Sequence, residues 1–253
     1  MNLLNELAVQ SFCFRNITEN QSVAGKVKEI GLERVEVCRV HADFHAVNDW
    51  KDIVKIYNDA GVSIVSIGVE TFDGEDRDEA IFESAALAGA KQISCHFKIE
   101  TFQKAVAQVK SWSEQYGVDV GIHNHGGYMF GGCPDIINYL IELGSPNIGL
   151  CMDTAWVMQI GPQRGNPVQW AKDYRGKIKG IHFKDFTFAP NGQWKDTIVG
   201  EGTLDLKGLV SELESQDFSG VSILEYEADP DNPVPALKSC VEKMREITSS
   251  LSV

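Results

Sequence analysis

Four residues of this 253-residue chain have the side-chain types of a divalent metal site: His123, Asp153, His182 and Glu225. Each stands in or at the end of a short apolar run, and they are spaced 30, 29 and 43 residues apart. Residues that recur at one depth in consecutive repeats converge when the repeats close on one another. Two imidazoles and two carboxylates around one centre suit Mn²⁺, Co²⁺ or Zn²⁺. Mg²⁺ is less well served, and an all-oxygen Ca²⁺ site would not normally use two imidazoles. Four protein ligands would leave one or two positions for substrate oxygens. The competing reading is a set of buried ion pairs bracing one end of the fold. Against it, an aspartate and a glutamate facing one opening repel each other unless a cation lies between them.

The neighbours of these residues add further chemistry. His125 lies two beyond His123, and Lys184 two beyond His182, so strand alternation turns each the same way as its partner. Lys184 could neutralise an oxyanion, act as an acid or hold a phosphate, or it could simply pair with a carboxylate. All six histidines (His41, His45, His96, His123, His125 and His182) fall at or just after an apolar run, and none lies in a helical stretch. That one-sided placement makes His41 and His96 candidates for substrate contact.

The elements that must position these groups are legible as a repeat. Apolar, β-branched runs occur at residues 7–12, 35–38, 62–67, 92–97, 118–123, 148–153, 178–183 and 221–225. Their continuous apolar character predicts strands buried on both faces. Between them, apolar residues recur at helical spacing, as in Phe102, Val106, Val109 and Trp112. Helices are expected over 48–58, 101–116, 205–213 and 234–247, with Gly61, Gly117 and Gly144 closing helices before the next strand. Eight strand–helix units in a chain of this length predict a single-domain α/β protein spanning 1–253, a (β/α)8 TIM barrel, whose usual size is roughly 250 residues. An open doubly wound sheet is disfavoured because no Gly-rich nucleotide fingerprint is present. In such a barrel, the strand C-termini carry the chemistry. The last unit is the longest, and its polar stretch Thr187–Gly202 is expected as a loop over that face, either a lid or a plain surface connection.

Composition limits the partners. Acidic residues number 36 against 23 basic ones, giving a net charge of −13. A polyanionic partner is bound by excess Lys and Arg, so nucleic acid is not expected. No run approaches the roughly 18 apolar residues of a membrane span. Met1–Phe14 has no basic residue and no cleavage-like site, as expected of a chain without a secretory signal. The six cysteines form no CxxC pair, and four lie inside apolar runs, which predicts reduced core thiols and a cytoplasmic protein. Gly126-Gly127 and Gly131-Gly132 are too short to count as a phosphate cradle. Self-association is left open.

Taken in order, five segments make the chain similar to the sugar phosphate isomerase/epimerase superfamily of xylose-isomerase-like barrels, along essentially its whole length. They are Ile122-His123-Asn124-His125-Gly126-Gly127, Gly149-Leu150-Cys151-Met152-Asp153-Thr154, Ile181-His182-Phe183-Lys184-Asp185, Gly200-Glu201-Gly202-Thr203-Leu204-Asp205 and Glu225-Tyr226-Glu227. The resemblance implies a divalent-metal-dependent sugar isomerase or epimerase. Such an enzyme abstracts the proton beside a carbonyl and passes through a metal-stabilised enediolate. It implies Asp153, His182 and Glu225 as metal ligands, with Glu225 also a candidate base.

Two departures stand out. Many relatives carry Glu where this chain has His123, and a metal-bound imidazole has no lone pair left for a proton. A second-face base would then come from Glu70, His96, His125 or Lys184. Trp156 replaces a frequent His and could stack on a sugar ring. Inosose dehydratases are similar in the His-rich fifth strand, the His-Phe-Lys-Asp stretch and the Glu225-Tyr226-Glu227-Ala228-Asp229-Pro230 segment. That supports a lyase acting on a keto-inositol or keto-sugar, with Glu225 abstracting and His125 or Lys184 protonating the leaving hydroxyl. A non-catalytic sugar-binding barrel is the third reading. A metal-dependent DNA-repair nuclease of the same fold is opposed by the charge and by Trp156. The purified protein should leave abasic duplex DNA intact in a nicking assay, and robust nicking would reverse that exclusion.

Overall fold

All eight apolar runs become parallel strands that close into a barrel. The computed structural model describes residues 6–126 and 131–251. Residues 1–5 of the N-terminal stretch, and Gly127 of the fifth-strand motif and Gly-Gly pair, lie outside the described residues. The barrel strands are β1 (Leu7–Gln10), β2 (Arg34–Val37), β3 (Ser63–Phe72), β4 (Gln92–Phe97), β5 (Asp119–His123), β6 (Ile148–Asp153), β7 (Ile178–Phe183) and β10 (Val221–Leu224). Neighbours in the chain are neighbours in the barrel, and β10 closes it by pairing with both β7 and β1. The helices packed outside include α2 (Val47–Asp59), α4 (Phe102–Tyr116), α5 (Pro134–Gly144), α8 (Leu206–Ser215) and α9 (Val234–Leu251).

The burial pattern explains why these segments fold this way. All six residues of β6 are buried, as a strand covered on both faces requires. On α4, Val106, Val109 and Trp112 are buried, so its apolar stripe faces the barrel. Leu7 and Val9 of β1 join the large core between strands and helices, while Ala8 belongs to a separate small cluster with Val65, Val221 and Ile223. Alternation along the strand puts that cluster, and Gln10 two residues on, inside the barrel. The upper interior is polar: Gln10, Glu36, Ser66, Gln92, Ser94 and His182 are all buried. It is tightly filled. A Cβ on Gly180 would lie 2.5 Å from the Gln92 amide. Gly68, at φ +131°, would push a Cβ to 2.3 Å from the Ser94 carbonyl oxygen, so only glycine fits there.

The structure differs from the sequence expectations in a few places. β3 runs five residues past its apolar core. Gly144 ends α5 as a helical residue rather than as a left-handed cap. The Thr187–Gly202 stretch is not a plain loop, because β8 (Asp185–Phe188) and β9 (Trp194–Thr197) form an antiparallel hairpin there. No helix among the described residues is long and apolar enough to cross a membrane.

None of the six cysteines is in a disulfide, and only Cys133 is more than marginally exposed. Burial pushes the Cys38 thiol up to about 11 and that of Cys240 to about 12, and it raises Cys13, Cys95 and Cys151 as well. Buried, protonated thiols react slowly. Iodoacetamide should therefore label Cys133 alone in the native protein and all six cysteines after denaturation, as read by peptide mass spectrometry.

Candidate metal centre

Asp153 is the last residue of β6, and its position is held from both sides. Its backbone N–H donates to Asn124 Oδ1 at 2.7 Å, and Asn124 Nδ2 donates back to its carbonyl at 3.0 Å. Its Oδ1 caps the short helix α6 (Thr154–Gln159) by accepting from the Trp156 N–H at 3.0 Å. Oδ2 is left buried with no hydrogen-bond partner among the described residues. His123 ends β5, 4% exposed, with neither ring nitrogen hydrogen-bonded among the described residues and Nε2 3.5 Å from Asp153 Oδ2. His182, on β7, lies beside Asp153 in the strand register. Glu225 follows β10 directly, and its N–H donates to the Phe183 carbonyl at 3.0 Å. His182 Nδ1 stands 3.2 Å from Glu225 Oε2.

One donor atom from each of these four residues lies within 4.8 Å of the other three. Leaving a buried polar atom unpaired costs about 1–3 kcal/mol. A cation among these atoms would satisfy His123 and Asp153 together and separate the two carboxylates, so the donor set fits a metal.

The charges around the cluster are strongly biased. Burial alone would raise the Glu225 carboxyl, but Lys184 and His182 outweigh it and hold Glu225 well below the ordinary carboxylate range. Burial alone would lower His182, and Cys151, Glu36 and Glu225 reverse that, so its net shift is well upward. Burial likewise works against the Lys184 ammonium, which Glu225, Asp153 and Glu227 keep charged. Its Nζ lies 3.6 Å from Glu225 Oε2 and also pairs with Glu227. His96 is pushed down to about 3, by burial first and then by His123 and His125. His125 is lowered for the same reasons.

A cavity of about 310 Å³ opens on this cluster, lined by His96, His123, His125, Trp156, Glu225 and Glu227, with Gln10, Phe12, Cys38 and Arg39 on its other wall. Of the expected substrate contacts, it gathers His96, His125 and Trp156. His125 arrives there from beyond the end of β5, through the turn rather than by strand alternation. Lys184 also lies past its strand, packed behind Glu225 and not in the cavity lining.

Two expected contacts are placed elsewhere. His41 uses both nitrogens internally, Nε2 at 2.9 Å from the Ile17 carbonyl and Nδ1 at 3.0 Å from Ser11 Oγ. It is a structural histidine and does not line the cavity. The Glu70 carboxylate is gripped through both oxygens by the Arg39 guanidinium, which removes it as a free base. His45 sits apart from the cluster, next to Asp43 and Asp78.

Sequence reasoning missed Glu36, whose Oε1 lies 2.9 Å from His182 Nε2. The available signal was a carboxylate inside the apolar run Val35-Glu36-Val37. It also missed Arg39, which gave no signal, and Asp196, a carboxyl that burial pushes up to about 7 beside Glu227. The hairpin carrying Asp196 is seated on the cavity wall. Trp194 stacks on Phe186 at 4.4 Å and meets Trp156 edge-on at 5.3 Å.

With this geometry in hand, comparison with known proteins is direct. The sequence profile of the xylose isomerase-like TIM barrel family matches residues 24–247, and the chain belongs to that family. No curated protein matches it in sequence. Three solved structures share the fold. The IOLI protein with a bound zinc atom is 15% identical, with 97% of this chain and 98% of that one covered and a TM-score of 0.76. The probable 3-DHS dehydratase AsbF of Bacillus anthracis is 18% identical over 95% and 98% of the two chains, with a TM-score of 0.72. The 3-keto-D-glucoside 4-epimerase YcjR of E. coli is 17% identical over 95% and 99%, with a TM-score of 0.70. At these identities the likeness is one of fold, and the His/Asp/His/Glu cluster stands at the strand ends where this fold carries its chemistry.

The hairpin's anchor can be tested. Asp185 is fully buried and accepts from the backbone N–H groups of Gly200, Gly202, Thr203 and Leu204 at 2.9–3.0 Å. Asp185→Ala should lower stability by about 3 kcal/mol in urea unfolding. It should also red-shift tryptophan emission in the folded state as Trp194 loses its packing.

Proposed function

We propose that this barrel is a metal-dependent enzyme that removes the proton beside the carbonyl of a small keto sugar or polyol, most simply as an isomerase. The observation that carries this reading is the buried His123, Asp153, His182 and Glu225 cluster at the floor of a cavity with an indole wall. A divalent cation held by these four residues, Mn²⁺, Co²⁺ or Zn²⁺ by their chemistry, would supply Lewis acidity toward a carbonyl oxygen. Glu225 is kept ionised by Lys184 and His182 and lines the cavity, so it is the carboxylate placed to accept the proton. Lys184 is paired with two carboxylates and stays a cation. Its part is to keep Glu225 charged and to offset negative charge that develops nearby, not to donate a proton. Trp156 offers an aromatic face for the sugar ring, braced by His125 at 4.4 Å and by Trp194.

A single base on one face can return the proton to the adjacent carbon, which is isomerisation. Epimerisation needs a second base on the opposite face, and of the candidates His125 remains in the cavity wall, its imidazole pushed toward the neutral form by burial. Glu70 is held by Arg39, and His96 is a weak base at neutral pH. Glu225 in the cavity lining equally suits a second reading, loss of a β-hydroxyl as in a dehydratase, which needs only one base.

Heavy-water NMR with a panel of keto sugars tests this directly. Metal-loaded protein should exchange the α-hydrogen, and chelation should stop exchange until Mn²⁺, Co²⁺ or Zn²⁺ is restored. A product lighter by one water would select the dehydratase. Asp153→Ala and Glu225→Ala should each cut turnover by roughly 10²–10⁴-fold and lower metal content. Lys184→Met should lose turnover with metal retained, whereas Trp156→Ala should chiefly raise KM. Exchange that persists in metal-free protein would reject the proposal.

A further inference from the structure

We infer that Glu36 is a positioning residue for the metal centre: it keeps a proton on His182 Nε2, so that Nδ1 is the nitrogen His182 presents to the cation. The inference rests on the metal reading above and goes one residue deeper. Glu36 is 0% exposed on β2, inside the barrel and beneath the cluster. Its carboxylate is surrounded by donors. Gln10 Nε2 and Ser66 Oγ make close hydrogen bonds to Oε1 and Oε2, and Ser94 Oγ donates to Oε1 at 3.2 Å. These three are neutral. His182, with Nε2 2.9 Å from Oε1, is the one ionisable group among these contacts. A buried carboxylate without such a partner would be expelled or neutralised.

The ring geometry then assigns the two nitrogens. Nδ1 faces Glu225 at 3.2 Å, inside the four-residue cluster. Nε2 faces Glu36. Both nitrogens face a carboxylate, and Nδ1 is within hydrogen-bond distance of its own, but only Glu225 belongs to the four-residue cluster, so a cation bound there would take the Nδ1 lone pair and leave the proton on Nε2 beside Glu36. The approach of Nε2 to Oε1 is oblique, an ion pair more than a linear hydrogen bond. The charge of Glu36 therefore matters more than its shape. Gln10, Ser66 and Ser94 come from β1, β3 and β4, so Glu36 ties three strands on one side of the barrel to β7 on the other. A carboxylate behind a ligating histidine fixes the ring and strengthens it as a donor. The Cys151 thiol also hydrogen-bonds this ring, and the His123 ring lies 5.0 Å from it.

The test uses the full-length protein and titrates Zn²⁺ and Co²⁺. Glu36→Gln keeps the size and removes the charge. It should fold with a near-native circular dichroism spectrum, bind both ions about 10–100-fold more weakly, and shift the visible spectrum of the Co²⁺ form. In the Zn²⁺-loaded wild type, histidine ¹⁵N NMR should show His182 protonated on Nε2 and ligating through Nδ1. Cys151→Ala should leave affinity and the Co²⁺ spectrum nearly unchanged. If Glu36→Gln does not fold, Glu36→Asp, which draws the carboxylate back from Nε2, should show the same weakening.

Three results would overturn the inference: unchanged affinity and spectrum in the Glu36 variant, ligation through Nε2, or a loss that follows Cys151 instead. If the wild type binds neither ion, the metal reading itself fails, which is a distinct outcome.

Discussion

Charge balance inside a closed barrel is the constraint on which the rest of this structure depends. Asp153, Glu225 and Glu36 are all buried, and carboxylates so placed must be matched or they destabilise the fold. The chain answers with His182, which stands between Glu36 and Glu225, and with Lys184, which joins Glu225 to Glu227. Those two cations serve one side of the mouth. On the other side, His123 and the second oxygen of Asp153 face each other at 3.5 Å with no hydrogen bond among the described residues. The imbalance is local and points inward, which is why a divalent cation is its natural complement.

The same accounting decides what chemistry the mouth can support. A carboxylate becomes a useful base when it is ionised yet reachable. Glu225 is both, because it lines the cavity while Lys184 and His182 hold its charge. Glu70 is spent on Arg39. His96 lines the cavity but is held neutral by burial and by two neighbouring rings. The difference comes from which groups the barrel places beside one another.

The indole wall is built by cooperation between distant segments. Trp156 follows the Asp153 cap on α6, Phe186 and Trp194 come from the hairpin after β7, and Asp185 pins that hairpin through four backbone N–H groups. A segment that reads as polar and glycine-containing folds because one buried carboxylate collects its amides. Trp194 then has something rigid to stack on.

The strands were legible because burial on both faces leaves a local mark, an unbroken apolar run. Their even spacing announced the barrel, and the polar residue types at the run ends announced the cluster. Those properties depend on residues within a few positions of each other, so the chain states them directly. Which polar group meets which is different. His41 and His96 look alike in the sequence, yet one is consumed by Ile17 and Ser11 while the other lines the cavity. Glu36 reads as an oddity in a strand until closure brings β7 across to it. The Arg39–Glu70 pair and the reach of His125 likewise depend on turns and through-space distance. Ion pairing is set by ångströms between segments far apart in the chain, and only the closed barrel fixes those distances.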